Sequence, residues 1–416
     1  MPRRSLVPFA IATCLSISLA ATLARGAEGI RSILVDEATK TAGAVVAAGG
    51  KHLAYTSQIL PLDEQARDIA VDDVQRQTKA VLDHLEHTLE RVGSGLDSLI
   101  KVNVYLARAD VLDEFRAVFA RRMTKTGGRP AVSYVVTALP RPRVLLGIDA
   151  VAISHKEPSK PEAVDRFNLT DLSVQRLGNH LAILPEGARL FISGQAEPGE
   201  SVAEATRKTL EGLQSTLKHF GLTKKQVVQA KAFIQPIDSV GEAESELMEF
   251  FGPASIPPLT FVEWKSSSKQ PIEIELVVAA GHRTDPALIE YLAPPQLKQT
   301  PIFSRVVRVN RGDLIFTSGL LGPDKAGAGE QVGAIFDLLG KILKDTGSDL
   351  KHLAKATYYV SDDDAGKALN EIRPKLYDPS RPPAASKAMV VGLAPAGHSV
   401  TLDMIAVPSQ ADKRNP

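Results

Sequence analysis

The sequence predicts an α+β fold assembled from three tandem copies of one unit, each a mixed sheet covered on one face by two helices. Three observations carry this reading. One order of features recurs three times along the 416 residues, and fixed-period self-similarity is the signature of a repeat architecture. The spacing inside each copy is constant: eight residues separate a helix-ending glycine from the second residue of the next strand, Gly93 to Lys101, Gly221 to Gln229 and Gly347 to Lys355. Copies one and three also hold register over longer spans, since Gly93 and Gly347, Lys101 and Lys355, and Asp149 and Asp403 each lie 254 residues apart.

Each copy opens with a β-type run ending in small residues: LAYTSQ at 53–58, LFISGQ at 190–195 and LIFTSG at 314–319. A helix follows, because apolar residues step by three and four, the 3.6-residue period of a one-sided helix. Val74, Thr78, Val81, Leu85 and Leu89 form this stripe in copy one. Leu210, Leu213, Leu217 and Phe220 form it in copy two, and Ile335, Phe336, Leu339 and Leu343 in copy three. Gly93, Gly221 and Gly347 suit the left-handed position after a helix C-terminus. Alternating strands come next at 100–106, 228–234 and 354–360, then shorter helices at 112–122, 240–251 and 365–376. Closing strands occupy 144–154, 272–280 and 400–408. The unit therefore reads β-β-α-β-α-β-β. Proline- and charge-rich connectors at 155–164 and 282–301 read as exposed linkers between units that fold separately, with domains at 30–154, 165–281 and 302–408.

Composition narrows the function. Lys+Arg 49 against Asp+Glu 48 gives a net charge of +1, which offers nothing to nucleic acid or an anionic membrane. Aromatic residues at 5% argue against a base-stacking platform. Residues 1–26 read as an export signal, with Arg3 and Arg4 ahead of an uncharged run from Leu6 to Ala24 and small residues at Ala24 and Gly26. Export to the periplasm is the expectation, with no membrane attachment after cleavage; an uncleaved anchor is the alternative, and the Arg3-Arg4 pair admits twin-arginine export. Cys14 is the only cysteine and lies in this segment, so a cleaved chain has no disulfide, thiolate metal site or cysteine nucleophile. His84 and His87 share a helix face but have no third ligand in sight. No metal or cofactor is expected.

Taken together, the motifs resemble the RidA (YjgF) family across nearly the whole mature chain. They are Ser193-Gly194-Gln195 and Ser318-Gly319 ending the first strand, the strand Ile100 to Leu106, Leu139-Pro140, and the closing strand Ile272-Glu273-Ile274-Glu275, matched in copy one by Ile148 to Ala152. The resemblance implies a chorismate-mutase-like trimer with clefts between subunits, here realised as an intrachain pseudo-trimer that needs no additional subunit. Covalent linkage would replace three-body association with an intramolecular one. It also implies hydrolysis of enamine or imine intermediates, with an arginine in a Pro-x-Arg-Ser/Thr segment holding the substrate carboxylate through its planar fork.

That arginine is missing from every copy. Its place falls on Leu259, on Ala385 and on either Ala131 or Val132. The family's closing-strand glutamate corresponds to Gly147, Glu273 and Thr401, so Glu273 is the one catalytic candidate. By the same resemblance, Ser57, Ser133, Ser193, Gly194, Thr260, Ser318, Gly319 and Ser386 are expected to line the clefts. Arg129, Arg305, Arg308 and Arg381, the nearby cations, read as surface residues. The expected function is binding of a small molecule, ligand or substrate, in inter-domain clefts. Two readings stay open beside it: a deaminase with a rearranged site, and a catalytically silent scaffolding or regulatory module. The ribonuclease activity linked to the family finds no support in the near-neutral charge.

Overall fold

The computed structural model describes residues 27–169, 177–265, 270–283, 287–298 and 300–409. Residues 1–26, read above as an export signal, lie outside the described residues, and Cys14 with them. Copy one comprises β1 (Ile30–Asp36), β2 (Thr41–Ala47), β3 (His52–Thr56), α1 (Val74–Glu90), β4 (Leu99–Leu106), α2 (Leu112–Thr126), β5 (Ala131–Val136) and β6 (Leu146–Ser154). Copy two comprises β7 (Asp165–Phe167), β8 (Leu181–Leu184), β9 (Arg189–Gln195), α3 (Val202–His219), β10 (Val227–Ile234), α4 (Val240–Phe251), β11 (Leu259–Glu263) and β12 (Ile272–Ala279). Copy three comprises β13 (Ile289–Leu292), β14 (Val306–Val309), β15 (Leu314–Thr317), β16 (Leu320–Leu321), α5 (Ala328–Asp345), β17 (Leu353–Val360), α6 (Asp363–Leu376), β18 (Ala384–Met389), β19 (Gly392–Leu393) and β20 (Val400–Ala406).

The helices form where the stripes place them. Asp73 caps α1 and Ser201 caps α3, each accepting a backbone N–H three residues on. Gly93, Gly221 and Gly347 adopt φ of 64°, 70° and 76°, the left-handed exit that only glycine enters without strain. Val81, Leu85, Leu89, Leu213, Leu217, Leu339 and Leu343 are fully or almost fully buried. They pack with the inner face of each copy's sheet into three separate helix–sheet cores.

Two expectations are corrected. A hairpin precedes the first expected strand of each copy, β1–β2, β7–β8 and β13–β14. The copy-one hairpin is written in alanine and glycine, which carry little alternation. β13 also falls inside 282–301, read from composition as linker. Nor do the copies form separate units. The second hairpin strand of each pairs antiparallel with the next strand of a neighbour: β2 with β15, β8 with β3, and β14 with β9. Copy one thus joins copy three, two joins one, and three joins two, closing a ring. One continuous sheet runs β18-β17-β20-β15-β2-β5-β4-β6-β3-β8-β7, and a second runs β11-β10-β12-β9-β14-β13. The exchange covers strand edges that each copy alone would expose.

The face of each sheet opposite its helices turns to the pseudo-three-fold axis. There Val45, Leu53, Ile153, Phe191, Val228, Val307 and Phe316, drawn from all three copies, build one apolar cluster. A second axial cluster holds Tyr105, Phe233 and Tyr359, the equivalent residue of β4, β10 and β17.

Candidate functional site

Between the two axial clusters lies a ring of buried charge, dictated by the alternation of β4, β10 and β17. Side chains two residues before the aromatic layer, or four, point to the axis. Lys101 meets Asp403 at 3.3 Å, Lys231 meets Asp149 at 3.8 Å, and Lys355 meets Glu275 at 2.8 Å. Every pair joins a lysine of one copy to an acid of another, in the same cyclic sense as the strand exchange. Copy two achieves this with its lysine shifted by two residues along the strand. In the place of Lys101 it carries Gln229, whose amide donates to Thr56 O at 3.0 Å, just as Lys101 donates to Thr317 O at 2.8 Å. Asp149 gathers Asn103 at 2.7 Å, Tyr105 at 2.6 Å and Thr260 at 3.1 Å. Burial pushes Lys101 down against the pull of Asp403. It pushes Asp403 up, but Lys101, Lys355 and Lys231 outweigh it and hold that carboxyl low. With each lysine paired to an acid of the neighbouring copy, the ring is a closure device, because a lysine leaves no uncompensated charge only when its neighbour is in place.

The clefts lie outside this ring, where the closing strand of one copy faces the motif strand of the next. The cleft between copies two and three has a volume of about 390 Å³. Copy two supplies Gly194 and Glu273, from adjacent β9 and β12, and Trp264. Copy three supplies Lys387 and Ser386 of β18 and Arg373 of α6. Gly194 is required here: a Cβ on it would lie 2.0 Å from Glu273 Oε1, so the carboxyl packs on bare backbone. Burial, reinforced by Glu275, pushes the Glu273 carboxyl up to about 8, with Ser386 and Lys387 opposing. Glu273 Oε1, Ser386 Oγ, Trp264 Nε1 and Arg373 Nε are all buried without a hydrogen-bond partner among the described residues. Ser386 is near enough to moderate the carboxyl, yet the two make no well-formed hydrogen bond. Arg373 is 5% exposed and stacks over the Tyr358 ring at 5.1 Å.

The other two clefts differ. Between copies one and three, a space of about 290 Å³ is bounded by Val132, Tyr134 and Arg116 of copy one and by Ser318, Gly319 and Thr401 of copy three. Thr401 stands where Glu273 stands and donates to Leu320 O at 2.9 Å. Arg116 lies 4.9 Å from the Tyr134 ring centre, and its Nε and the Tyr134 hydroxyl are buried without partners. Between copies one and two, the chain fills its own cleft. Ile59 bridges to Ile148 and Gln58 N–H donates to Leu259 O at 2.8 Å. A Cβ on Gly147 would meet Leu60 at 2.8 Å.

Of the expected cleft residues, Gly194, Ser386 and Glu273 converge on one cleft, and Ser318 and Gly319 on another. Ser193 sits behind the first, donating to Ser304 O at 2.5 Å and accepting Ala385 N–H at 2.8 Å. Ser133 and Thr260 turn instead to the axial ring, donating to Asp403 and Asp149. Ser57 bonds His180 O at 3.3 Å in a packed seam. Arg308, read as a surface residue, is 3% exposed and donates to Ala280 O and Gly281 O, away from the clefts. Sequence reasoning missed the cleft cations. Lys387 lies two residues beyond Ala385, on the same strand face as the vanished arginine. Arg373 occupies the next step of the buried series Ala365, Leu369, an arginine on a core stripe being the signal that could have found it. Among the described residues, no group of three or more His, Cys, Asp and Glu could hold a metal, and no helix is long and apolar enough to cross a membrane.

Comparison with known proteins identifies the family. The family model described as Endoribonuclease L-PSP matches residues 38–154 and 296–408, more than half of the chain, leaving copy two outside both matches. A RutC family protein of Pyrococcus horikoshii is 34% identical over 104 residues, covering 25% of this chain and 79% of that protein. The 3-aminoacrylate deaminase RutC of Acinetobacter baylyi is 31% identical over 108 residues, covering 26% and 84%. The 2-iminobutanoate/2-iminopropanoate deaminase of Capra hircus is 32% identical over 112 residues, covering 25% and 79%. Among solved structures, a YjgF family member from Neisseria meningitidis aligns at 24% identity with a TM-score of 0.22, covering 29% of this chain and 93% of its own. The chain belongs to the Endoribonuclease L-PSP family, the RidA/YjgF proteins, and carries its unit in tandem.

Proposed function

We propose that this chain binds a small carboxylate-bearing molecule in the cleft between copies two and three. The observation that supports this best is the convergence there of four partnerless buried polar atoms, on Trp264, Glu273, Arg373 and Ser386, beside the Lys387 ammonium. A buried polar atom left unpaired costs about 1–3 kcal/mol, so an occupant that pairs several of them at once gains what the empty cleft forgoes. Lys387 and Arg373 take the place of the lost arginine as carboxylate donors. Calorimetric titration with pyruvate or 2-oxobutyrate tests the reading. Saturable binding that weakens about tenfold or more in Lys387→Ala, as loss of a charge-assisted hydrogen bond requires, supports it. Binding that ignores the substitution, or no binding, overturns it.

A second reading, hydrolysis of a 2-imino acid to the 2-keto acid and ammonia, is favoured by one observation. A carboxyl titrating at about 8 keeps its proton at neutral pH and can deliver it to the imine nitrogen while water adds to carbon. One relative is named as a 2-iminobutanoate/2-iminopropanoate deaminase and another as a 3-aminoacrylate deaminase. Ammonia release from freshly generated 2-iminopropanoate, abolished in Glu273→Gln, would establish it; no release from the wild type leaves a binding protein. Both readings place the protein outside the cytoplasm on the strength of residues 1–26, and fractionation of cells expressing the full chain checks that assignment.

A further inference from the structure

The charges of this same cleft go further than a single carboxylate requires. Its lining carries four cationic side chains, Lys265, Lys367, Arg373 and Lys387, against two carboxyls, Glu273 and Asp363. Burial raises the Glu273 carboxyl to about 8, which favours its neutral form and weights the lining further toward positive charge. The cations fall into two groups. Arg373 and Lys387 form the inner pair, and neither has a carboxylate within ion-pair distance among the described residues. They are close enough that Arg373 helps depress the Lys387 ammonium. Lys265 and Lys367 form the outer pair. Both are exposed; Lys265 is fixed at the rim by its backbone N–H on Met389 O at 2.7 Å, and Lys367 meets the exposed Asp364 at 3.3 Å. Like charges held side by side with partial loss of water repel each other unless an anion sits between them.

We infer that the occupant is a short dicarboxylate, with one carboxylate at Lys387 and Arg373 and the other at the rim lysines. The inference rests on the reading of this cleft as the binding site and names its ligand class. At about 30 Å³ for each water-sized group, 390 Å³ holds about a dozen such groups, ample for a four- or five-carbon diacid. Glu273, Ser386 and Trp264 then remain for the polar atoms of the chain between the two carboxylates, a keto or imino group included.

Titration calorimetry at pH 7 with 2-oxoglutarate, succinate, pyruvate and inorganic phosphate discriminates. The diacids are expected to bind at least tenfold more tightly than pyruvate, with a steeper loss of affinity as salt is raised. The exposed double variant Lys265→Ala/Lys367→Ala, chosen because it leaves the fold untouched, should erase that preference while pyruvate binding stays within twofold. Pyruvate binding as well as the diacids overturns the dicarboxylate inference and leaves the cleft reading standing. Phosphate matching 2-oxoglutarate also overturns it, by showing that one compact dianion suffices. If none of the four binds, both readings fall together.

Discussion

Replacing Glu273 by glutamine should make the protein more stable, and only at high pH. In an unfolded chain this carboxyl titrates near 4.5; in the cleft it is raised to about 8, chiefly by burial and secondarily by Glu275. Below the lower value both states are protonated and nothing is lost. Between the two, the folded protein keeps a proton that the unfolded chain has released, so unfolding releases a proton and stability falls as pH rises. Above about 8 the folded protein holds a buried carboxylate and the full penalty applies. At about 1.4 kcal/mol per unit, the gap amounts to about 3–5 kcal/mol. Glutamine has nearly the same shape and never ionises, so its variant escapes the penalty. Melting curves at pH 4.5, 7 and 9 should show coincident proteins at the lowest pH and a variant more stable by about 4–8 °C at the highest, given the shallow dependence expected of a long chain. A gap of equal size at all three pH values would refute the reasoning, because a packing effect has no reason to follow a proton. So would a variant that melts below the wild type at pH 9.

Three further outcomes follow from the geometry. Lys355→Met or Glu275→Leu alone should cost about 3–5 kcal/mol in urea unfolding by stranding a buried charge, whereas the double variant should recover most of it; strictly additive losses would contradict the axial ring. Gly194→Ala should destabilise by about 1–3 kcal/mol by evicting the Glu273 carboxyl from its seat, and adding Glu273→Ala should restore the midpoint. Gly49→Ala places a Cβ 2.4 Å from Gly312 O across the seam between copies one and three; a lower urea midpoint with an unchanged single transition is expected, since the exchanged strands couple the copies, and an unaltered midpoint would count against that contact.

What could be read from the sequence were the features that repeat locally. The glycines at 93, 221 and 347 follow their helices, and the stripes from Val74 to Leu89 and from Ile335 to Leu343 are buried, because helix periodicity and the left-handed exit are decided within a few residues. Strand exchange could not be read. β2, written mostly in small residues with little alternation, suits pairing with β3 of its own copy as well as with β15 of another, and only the closed ring decides between them. The cleft was half legible: Glu273 stands at the expected place, but the cations that face it reach in from Lys387, two residues along the strand, and from a helix, through Arg373.

The difference between ring and clefts has a physical cause in the covalent linkage. Three identical subunits must make three identical clefts, because each is built from the same two surfaces. A fused chain is released from that symmetry, and its walls can diverge one by one. Leu60 lies over Gly147, Thr401 donates to Leu320 O, and Glu273 shares its cleft with Arg373 and Lys387. Closure allows no such freedom. An axial lysine meets its acid only across a seam, so a change in one copy must be answered in another: where copy two carries Gln229, the charge reappears at Lys231 and still finds Asp149. Absence of the motif arginine from all three copies therefore argues only that the family's way of holding a carboxylate has been given up. It does not argue that nothing holds one, because in the single cleft that keeps its glutamate the positive charge has been supplied again from neighbouring positions.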